Sequence, residues 1–246
     1  ALSGRAILVV YAPKAAGHVL GLHAQVAGSA IGRDDAQSKL ADLELARRVA
    51  GAAGVSCEWI AITDDPASSL VARGRCADLI IIGQRDPQAR DDAAFVDLPA
   101  AVVLGAGRPV VVVPRSHAMH TFGEHIVVAW SGTRESARAV ADALPLLVRA
   151  KSVRILSGAE HKVRRITAAA DALIKSLARH GIKAELSDLG RHRFDVGEKV
   201  LSFCSDHQAD LLVMGAYGHS RAQELVLGGV TQTVFGAMTL PVLMSH

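Results

Sequence analysis

Residues 215–233, GAYGHSRAQELVLGGVTQT, directly follow the apolar run ADLLVM of residues 209–214 and are the most informative segment of the chain. Its glycines follow the pattern Gly215-x2-Gly218-x9-Gly228-Gly229. A strand that ends in spaced glycines and leads into helices is typical of α/β proteins that bring backbone N–H groups to a phosphate. The spacing differs from the Gly-Lys-Ser/Thr loop and from the Gly-x-Gly-x-x-Gly loop of dinucleotide folds. It predicts an anion-binding turn that belongs to neither class.

A second copy of the same plan precedes this turn. CADLIIIG, residues 76–83, matches QADLLVMG, residues 208–215, and RPVVVV, residues 108–113, matches LPVLMS, residues 240–245. Both matches use one offset, which aligns Gly83 with Gly215 and Pro109 with Pro241, and no gap is needed between them. We interpret the chain as a tandem repeat of one domain.

The first copy has lost its glycines. At the same offset, the positions of Gly218, Gly228 and Gly229 are taken by Asp86, Val96 and Asp97. Carboxylates in place of glycines would repel a phosphate and stiffen the loop. The first domain is therefore interpreted as degenerate, and the anion site is expected in the second domain.

Alternating strand and helix patterns predict the architecture. The second domain reads as strands at 125–130, 152–156, 184–189, 210–214 and 241–244, with helices between them. This alternation implies parallel neighbours and right-handed crossovers. We predict an α/β protein of two tandem Rossmann-like domains, each a mostly parallel five-stranded sheet with helices on both faces. The domains are expected at residues 1–114 and 125–246, joined by a linker at 115–124.

The N-terminus does not fit this plan. Residues 5–12, RAILVVYA, have strand composition, but about five residues separate them from the next strand. A parallel crossover needs about a dozen residues or more. Either the opening strand precedes the given residues or this end has been rebuilt, so residues 1–16 are left open as a strand, a helix or a truncated start.

The glycine pattern resembles the signature of the universal stress protein family, Gly-x2-Gly-x9-Gly followed by Ser or Thr, with Gly229 in place of the hydroxyl residue. The resemblance covers the second domain and the first from about residue 17. It implies a cytoplasmic stress-response module whose second domain binds an adenine nucleotide such as ATP. Some members of the family bind ATP and others do not, so a non-nucleotide interaction or scaffold protein is the alternative.

The resemblance also implies which residues contact the nucleotide. In nucleotide-binding members an Asp follows the first strand in an Asp-x-Ser context, and the matching triplet here is Ser131-Gly132-Thr133. A serine is a weaker acceptor than a carboxylate, so binding is expected to be weakened rather than excluded. The expected nucleotide-binding residues are Ser131, Gly132, Thr133, Gly215, Gly218, His219, Arg221, Gly228, Gly229, Val230 and Thr231. Trp130 is either core or a wall of the ligand cleft.

No catalytic residue is predicted, so activity is expected to be weak ATP hydrolysis at most. Ser220 lies six residues beyond the strand, too far for a nucleophile elbow. His117, His120 and His125 lack the spacing of a metal site, and no metal is expected beyond one that accompanies a nucleotide.

Composition and charge exclude two classes of binding partner, nucleic acids and membranes. The formal net charge of +3 is too small for nucleic-acid binding, and no apolar run reaches the roughly 18 residues of a membrane span. The cysteines Cys57, Cys76 and Cys204 are interpreted as small buried hydrophobes in a reducing compartment.

Residues 110–113 and 242–244 are apolar runs that end their domains, and we expect them to pair in an intramolecular pseudo-dimer that protects both edges. Any homo-oligomer would then use helices.

Overall fold

The chain forms two compact units, Ala1–Arg115 and Ser116–His246, in a computed structural model. The structure describes residues 5–12, 19–27, 48, 52, 57–62, 65–84, 98–115, 121–158, 163–190, 195–217 and 229–246. The described part of the core is built mainly of Val, Ile, Leu and Ala, as the composition predicts. Among the described helices, none has the length and apolar character needed to cross a membrane.

The first unit contains a five-stranded sheet in the order β3-β2-β1-β4-β5. Its strands are β1 (Arg5–Ala12), β2 (Val19–Ala27), β3 (Cys57–Ile62), β4 (Ile80–Gly83) and β5 (Val110–Val113), and its described helices are α1 (Pro66–Gly74) and α2 (Leu98–Gly105). The pairs β2–β3 and β4–β5 are parallel. The central strand β1 is antiparallel to both β2 and β4.

The direction of β1 answers the question left open at the N-terminus. Residues 5–12 are a strand, and it pairs with β2 along its whole length. Only residues 13–18 lie between the two strands, which suffices for an antiparallel connection but not for a parallel crossover. The first unit therefore departs from a mostly parallel sheet at this strand.

The second unit is a five-stranded sheet in the order β10-β9-β6-β7-β8, and every neighbouring pair is parallel. Its strands are β6 (His125–Trp130), β7 (Ser152–Ser157), β8 (Ala184–Asp188), β9 (Leu211–Gly215) and β10 (Val242–Ser245). Its helices are α3 (Arg134–Leu147), α4 (Val163–Arg179), α5 (Val196–Asp206) and α6 (Gly229–Ala237). The predicted α/β architecture is confirmed.

Local signals account for the boundaries of these helices. Thr133 caps α3 in an extended conformation (φ −89°, ψ 167°), and Asp195 caps α5 by accepting from the Gly197 N–H. Gly181 follows α4 with φ +77°, the left-handed conformation that ends many helices. Each cap needs only residues close in sequence.

The strand order places helices on both faces of the second sheet. From β6 the chain moves outward to β7 and β8, then returns to β9 on the other side and continues to β10. Right-handed crossovers in opposite directions put α3 and α4 on one face and α5 and α6 on the other. Contacts agree: α3 packs on β6, β9 and β10, α4 packs on β7 and β8, and α5 packs on α6.

The segments that match one another in the sequence also match in secondary structure. At the offset that aligns Gly83 with Gly215, β4 maps onto residues 212–215 of β9, and β5 maps onto all of β10. One cysteine differs from its prediction: Cys76 is exposed, because it lies in the turn after α1, whereas Cys204 is buried. The expected pairing of the two last strands stays a prediction.

Candidate ligand-binding site

The candidate site lies at the carboxyl ends of β6 and β9. These strands are parallel neighbours in register, with Ala129 opposite Met214. The chain leaves them in opposite directions, so a crevice opens between the segments that follow. The first segment is Ser131–Gly132–Thr133 and the second begins with Gly215, so the structure brings together four of the residues predicted to bind the nucleotide.

The segment after β6 is built as a helix cap. Gly132 has φ +72°, a left-handed conformation that strains any residue with a Cβ, so glycine suits this turn. The Thr133 Oγ1 accepts a hydrogen bond from the Ser136 N–H at 3.4 Å, and the Ser136 hydroxyl donates to the Thr133 carbonyl at 2.9 Å. Ser131 is exposed, and its Oγ lies 3.1 Å from the Thr133 Oγ1. The triplet thus aims the N-terminus of α3 at the crevice.

Gly215 has a packing role that the sequence did not distinguish from ligand approach. A Cβ built on Gly215 would lie 2.5 Å from the Glu135 carbonyl carbon and 2.9 Å from the Glu135 Cβ. No side chain fits there, because the obstacle is the backbone of α3 rather than a flexible side-chain end. Glycine at this position lets the first turn of α3 sit directly on the end of β9.

Glu135 places a buried carboxylate in that first turn. Its side chain is 5% exposed and is ion-paired with the Nε of Arg134. Burial raises the pKa of the Glu135 carboxyl, but hydrogen bonds from Arg134, its own backbone N–H and Thr133 outweigh it and hold the pKa below its usual value. The N-terminus of α3 therefore already has an anionic partner.

The segment after β9 begins in a strained conformation. Tyr217 has φ +59°, which is uncommon for a residue with a side chain and occurs often near functional sites. Its ring meets the His246 ring edge-on, with centroids 6.3 Å apart, and the His246 Nδ1 lies 3.1 Å from the Ala216 carbonyl oxygen. The predicted site residues Gly218, His219, Arg221 and Gly228 follow and lie outside the described residues.

The first turn of α6 carries the remaining three predicted residues. Because α6 connects the parallel strands β9 and β10, its N-terminus lies at the same edge of the sheet. Gly229 is exposed, a Cβ built on it meets nothing within 4 Å, and its φ is outside the left-handed region. Val230 is half-buried and Thr231 is buried, with 3% exposure. Of these three positions, Gly229 is the most exposed to solvent.

Two residues of this edge carry buried polar atoms. Trp130 ends β6 and is half-buried, and Ser157 ends β7 and is 8% exposed. Within the part of the chain that the structure describes, neither the Trp130 Nε1 nor the Ser157 Oγ has a hydrogen-bond partner. Sequence reasoning left Trp130 open and missed Ser157 and Glu135. Ser157 could have been found from the sequence, because it lies at the end of a strand and is followed by a glycine.

The second unit matches a known family. Residues 123–246, just over half of the chain, match the sequence model of the universal stress protein family. Universal stress protein Slr1230 of Synechocystis is 39% identical over 69 residues, which are 28% of this chain and 23% of that protein. Universal stress protein MJ0577 of Methanocaldococcus jannaschii is 32% identical over 69 residues, 26% of this chain and 43% of that protein. The chain thus spans less than half the length of these curated relatives.

Solved structures share the fold at low sequence identity. A universal stress protein from Archaeoglobus fulgidus aligns with a TM-score of 0.66 at 18% identity, covering 90% of this chain and 84% of that one. A putative universal stress protein from Pseudomonas aeruginosa aligns with a TM-score of 0.60 at 16% identity, covering 91% of this chain and 81% of that one. The match of residues 123–246 to the family model, over just more than half of the chain, shows that the chain belongs to the universal stress protein family.

Proposed function

We propose that the second unit is a stress-response binding module that holds an adenine nucleotide such as ATP at the carboxyl edge of its sheet. The observation that carries the proposal is the switch point between β6 and β9, where the turn at Gly132, the close-packed Gly215 and the N-terminus of α6 meet at one edge. Ligands of open α/β sheets bind at such switch points.

The charges of the site favour one orientation of the nucleotide. The first N–H groups of α6 have no partner within the helix, and the helix dipole makes that end attractive to an anion. The N-terminus of α3, in contrast, already holds the Glu135 carboxylate, which would repel a phosphate. We therefore propose that the phosphates lie at α6 beside Gly229 and that the rest of the ligand extends toward β6 and β7.

The architecture of the first unit supports assigning the site to the second unit alone. In the first unit β1 is antiparallel to β4, so the carboxyl ends of these two central strands lie at opposite edges of the sheet. The crevice needs the carboxyl ends of two neighbouring parallel strands at one edge. We infer that the first unit is a degenerate copy that lost the site through this reversal as well as through Asp86, Val96 and Asp97.

Calorimetric titration of the full chain with ATP tests the proposal. The parent is expected to bind ATP, and Gly218→Asp, which copies the residue at the matching position of the first domain, is expected to abolish binding. The matched control is Asp86→Gly, which should leave the stoichiometry unchanged, because restoring one glycine does not reverse β1.

Two results would contradict the proposal. Equal ATP binding by the parent and Gly218→Asp would place the nucleotide elsewhere. Undetectable binding by the parent, together with no nucleotide among the small molecules released from purified protein on denaturation and identified by mass spectrometry, would favour the interaction or scaffold protein.

A further inference from the structure

Asp195 connects two neighbouring helices of the second unit with one carboxylate. Its Oδ1 accepts a hydrogen bond from the Gly197 N–H at 2.6 Å and so caps α5. Its Oδ2 accepts a hydrogen bond at 2.9 Å from the hydroxyl of Thr233, which lies in α6. Hydrogen bonds to a carboxylate are roughly twice as strong as those between neutral groups. The start of α5 is therefore firmly bonded to α6.

The two helices are in close contact at this point, because residue 197 is a buried glycine. A Cβ built on Gly197 would lie 2.7 Å from the Thr233 Cβ and 3.0 Å from the Thr233 Cγ2. Thr233 is β-branched and stiff at χ1, so its side chain does not easily turn away. Glycine at position 197 thus lets the helices approach closely enough for the bond between Asp195 and Thr233.

Helix α6 has a sequence that forms a weak helix by itself. Its nine residues, GVTQTVFGA, include two glycines and four β-branched residues, which are poor helix formers. An isolated helix of this length is marginal even when its sequence is favourable. The burial of Thr231 and Val234 holds one side of α6, and the bond from Thr233 to Asp195 holds another. The direction of the first N–H groups of α6 therefore depends on these contacts.

The bond lies close to the proposed phosphate position. Helix α5 follows β8 and α6 follows β9, and both strands belong to the parallel sheet, so both helices begin at its carboxyl edge. Thr233 stands four residues after Gly229, about one turn or roughly 6 Å along α6, and on the same face of the helix. The bond to Asp195 therefore fixes the turn that supports this end of α6.

We propose that Asp195, acting through Thr233, is a positioning residue that holds the first turn of α6 in the orientation that binds phosphate. This inference rests on the proposed nucleotide site and adds the support of its phosphate-binding end. Donors that are held in place before the ligand arrives bind it more tightly, because less order has to be gained on binding. Asp195 is not itself a ligand contact, since both carboxylate oxygens already accept a hydrogen bond and the N-terminus of α5 balances the charge.

Paired variants separate the bond to Thr233 from the cap of α5. Thr233→Val has nearly the same shape without the hydroxyl, whereas Thr233→Ser keeps the hydroxyl. Asp195→Ser keeps one oxygen for the cap of α5 and loses the second, whereas Asp195→Asn keeps two polar atoms, and its amide can donate to the Thr233 hydroxyl.

Calorimetric titration of the full chain with ATP compares these variants. Thr233→Val and Asp195→Ser are expected to bind ATP about 3- to 5-fold more weakly than the parent. Thr233→Ser and Asp195→Asn should remain within about twofold of the parent, because each keeps the bond between the two helices. Weakened binding by the conservative variants to the same degree would show that the bond is not the cause.

Ser152→Ala controls for the loss of a side-chain hydrogen bond elsewhere in the second unit. The Ser152 Oγ lies 2.8 Å from the His125 Nδ1, at the amino ends of β7 and β6. This variant should lower the thermal midpoint of the second unit by roughly 2–4 °C and leave the affinity for ATP unchanged. Thr233→Val should lower the midpoint by a similar amount and also lose affinity. An equal loss of affinity in Ser152→Ala would assign the effect to general destabilisation and overturn the inference.

Hydrogen exchange of the ligand-free protein measures how firmly α6 is held. Peptides from residues 229–237 should exchange faster in Thr233→Val and in Asp195→Ser than in the parent. The double variant should exchange no faster than the single variants, because both substitutions remove the same bond. Exchange at the parent rate in both single variants would show that the bond does not hold α6, and the inference would be wrong.

The outcomes separate this inference from the proposed function. If the parent binds ATP and Thr233→Val binds it equally well, phosphate binding does not depend on this bond and only this inference is wrong. If the parent does not bind ATP, both the inference and the nucleotide proposal are wrong, whatever the exchange rates of α6.

Discussion

Gly215 and Glu135 are in contact across the junction of β9 and α3: a Cβ on Gly215 would lie 2.9 Å from the Glu135 Cβ and closer still to the backbone. The end of β9 and the start of α3 therefore fix each other's position. Both flank the crevice, so the shape of the candidate ligand site depends on this contact.

Gly215→Ala is expected to destabilise the second unit by roughly 1–3 kcal/mol, because the added methyl group meets the backbone of α3, which cannot move without displacing the helix. Urea unfolding followed by Trp130 fluorescence in the Trp59→Phe background measures the change. Gly229→Ala is the control and should be close to neutral, since its Cβ has open space. Equal effects at the two positions would refute the close contact at Gly215.

Gly229→Ser is expected to raise ATP affinity about fivefold, about 1 kcal/mol, by adding a hydroxyl donor where the phosphates are proposed to lie. The backbone allows it, because Gly229 is outside the left-handed region and a Cβ there meets nothing within 4 Å. Calorimetric titration with ATP gives the change, with Gly229→Ala as the control for the added Cβ. Weaker binding by the serine variant than by the alanine variant would remove the phosphates from this helix end.

Acid should weaken the second unit through Glu135. Its folded-state pKa is lowered from the ordinary value of 4.5, so the unfolded chain takes up the proton first. The stabilisation from Glu135 is then fully present at pH values above the ordinary pKa. It is lost as the pH falls through the lower pKa of the folded state. Thermal unfolding at neutral pH and at about pH 3 is expected to show a smaller loss for Glu135→Gln than for the parent.

Glu185→Gln controls for the removal of one carboxylate, since the Glu185 side chain on β8 is 75% exposed. This variant should lose as much stability on acidification as the parent does. Identical losses in the parent, Glu135→Gln and Glu185→Gln would show that Glu135 does not contribute to the acid dependence.

Cys204 should resist alkylation in the folded protein while Cys76 reacts. Burial raises the pKa of the Cys204 thiol to about 12, and the residue is 1% exposed, so neither thiolate nor access is available. Cys76 is exposed in the turn after α1. Iodoacetamide labelling with peptide mass mapping, in buffer and then in urea, measures both sites. Modification of Cys204 at the rate of Cys76 in buffer would contradict the buried position.

The sequence predicted the second unit well because its signals are local. The strand at 125–130 was predicted with the bounds it has, and the helix predicted to follow it is capped by Thr133. Apolar runs, a capping hydroxyl and a glycine after the helix act within a few residues, so no knowledge of distant contacts is needed. The glycine pattern likewise pointed to the carboxyl end of the strand that proved to be β9.

The first unit shows which features local sequence signals do not predict. The composition of residues 5–12 indicated a strand, and the short connection after it excluded a parallel crossover. These observations did not predict which strands β1 would pair with, or that it would be antiparallel to both β2 and β4. Strand direction is settled by pairing with residues far along the chain, and in this protein it decides which unit can form the crevice.

The family, the α/β alternation and the glycine-rich edge could be predicted from the sequence, because each depends on residue type and spacing along the chain. The contact of Gly215 with Glu135, and the position of Trp130 beside Ser157 with both polar atoms buried, could be seen only in the folded structure. A whole helix, α3, separates Trp130 from Ser157 along the chain, and the register of two strands makes them neighbours. Register follows from the packing of the whole sheet, which no short stretch of sequence encodes.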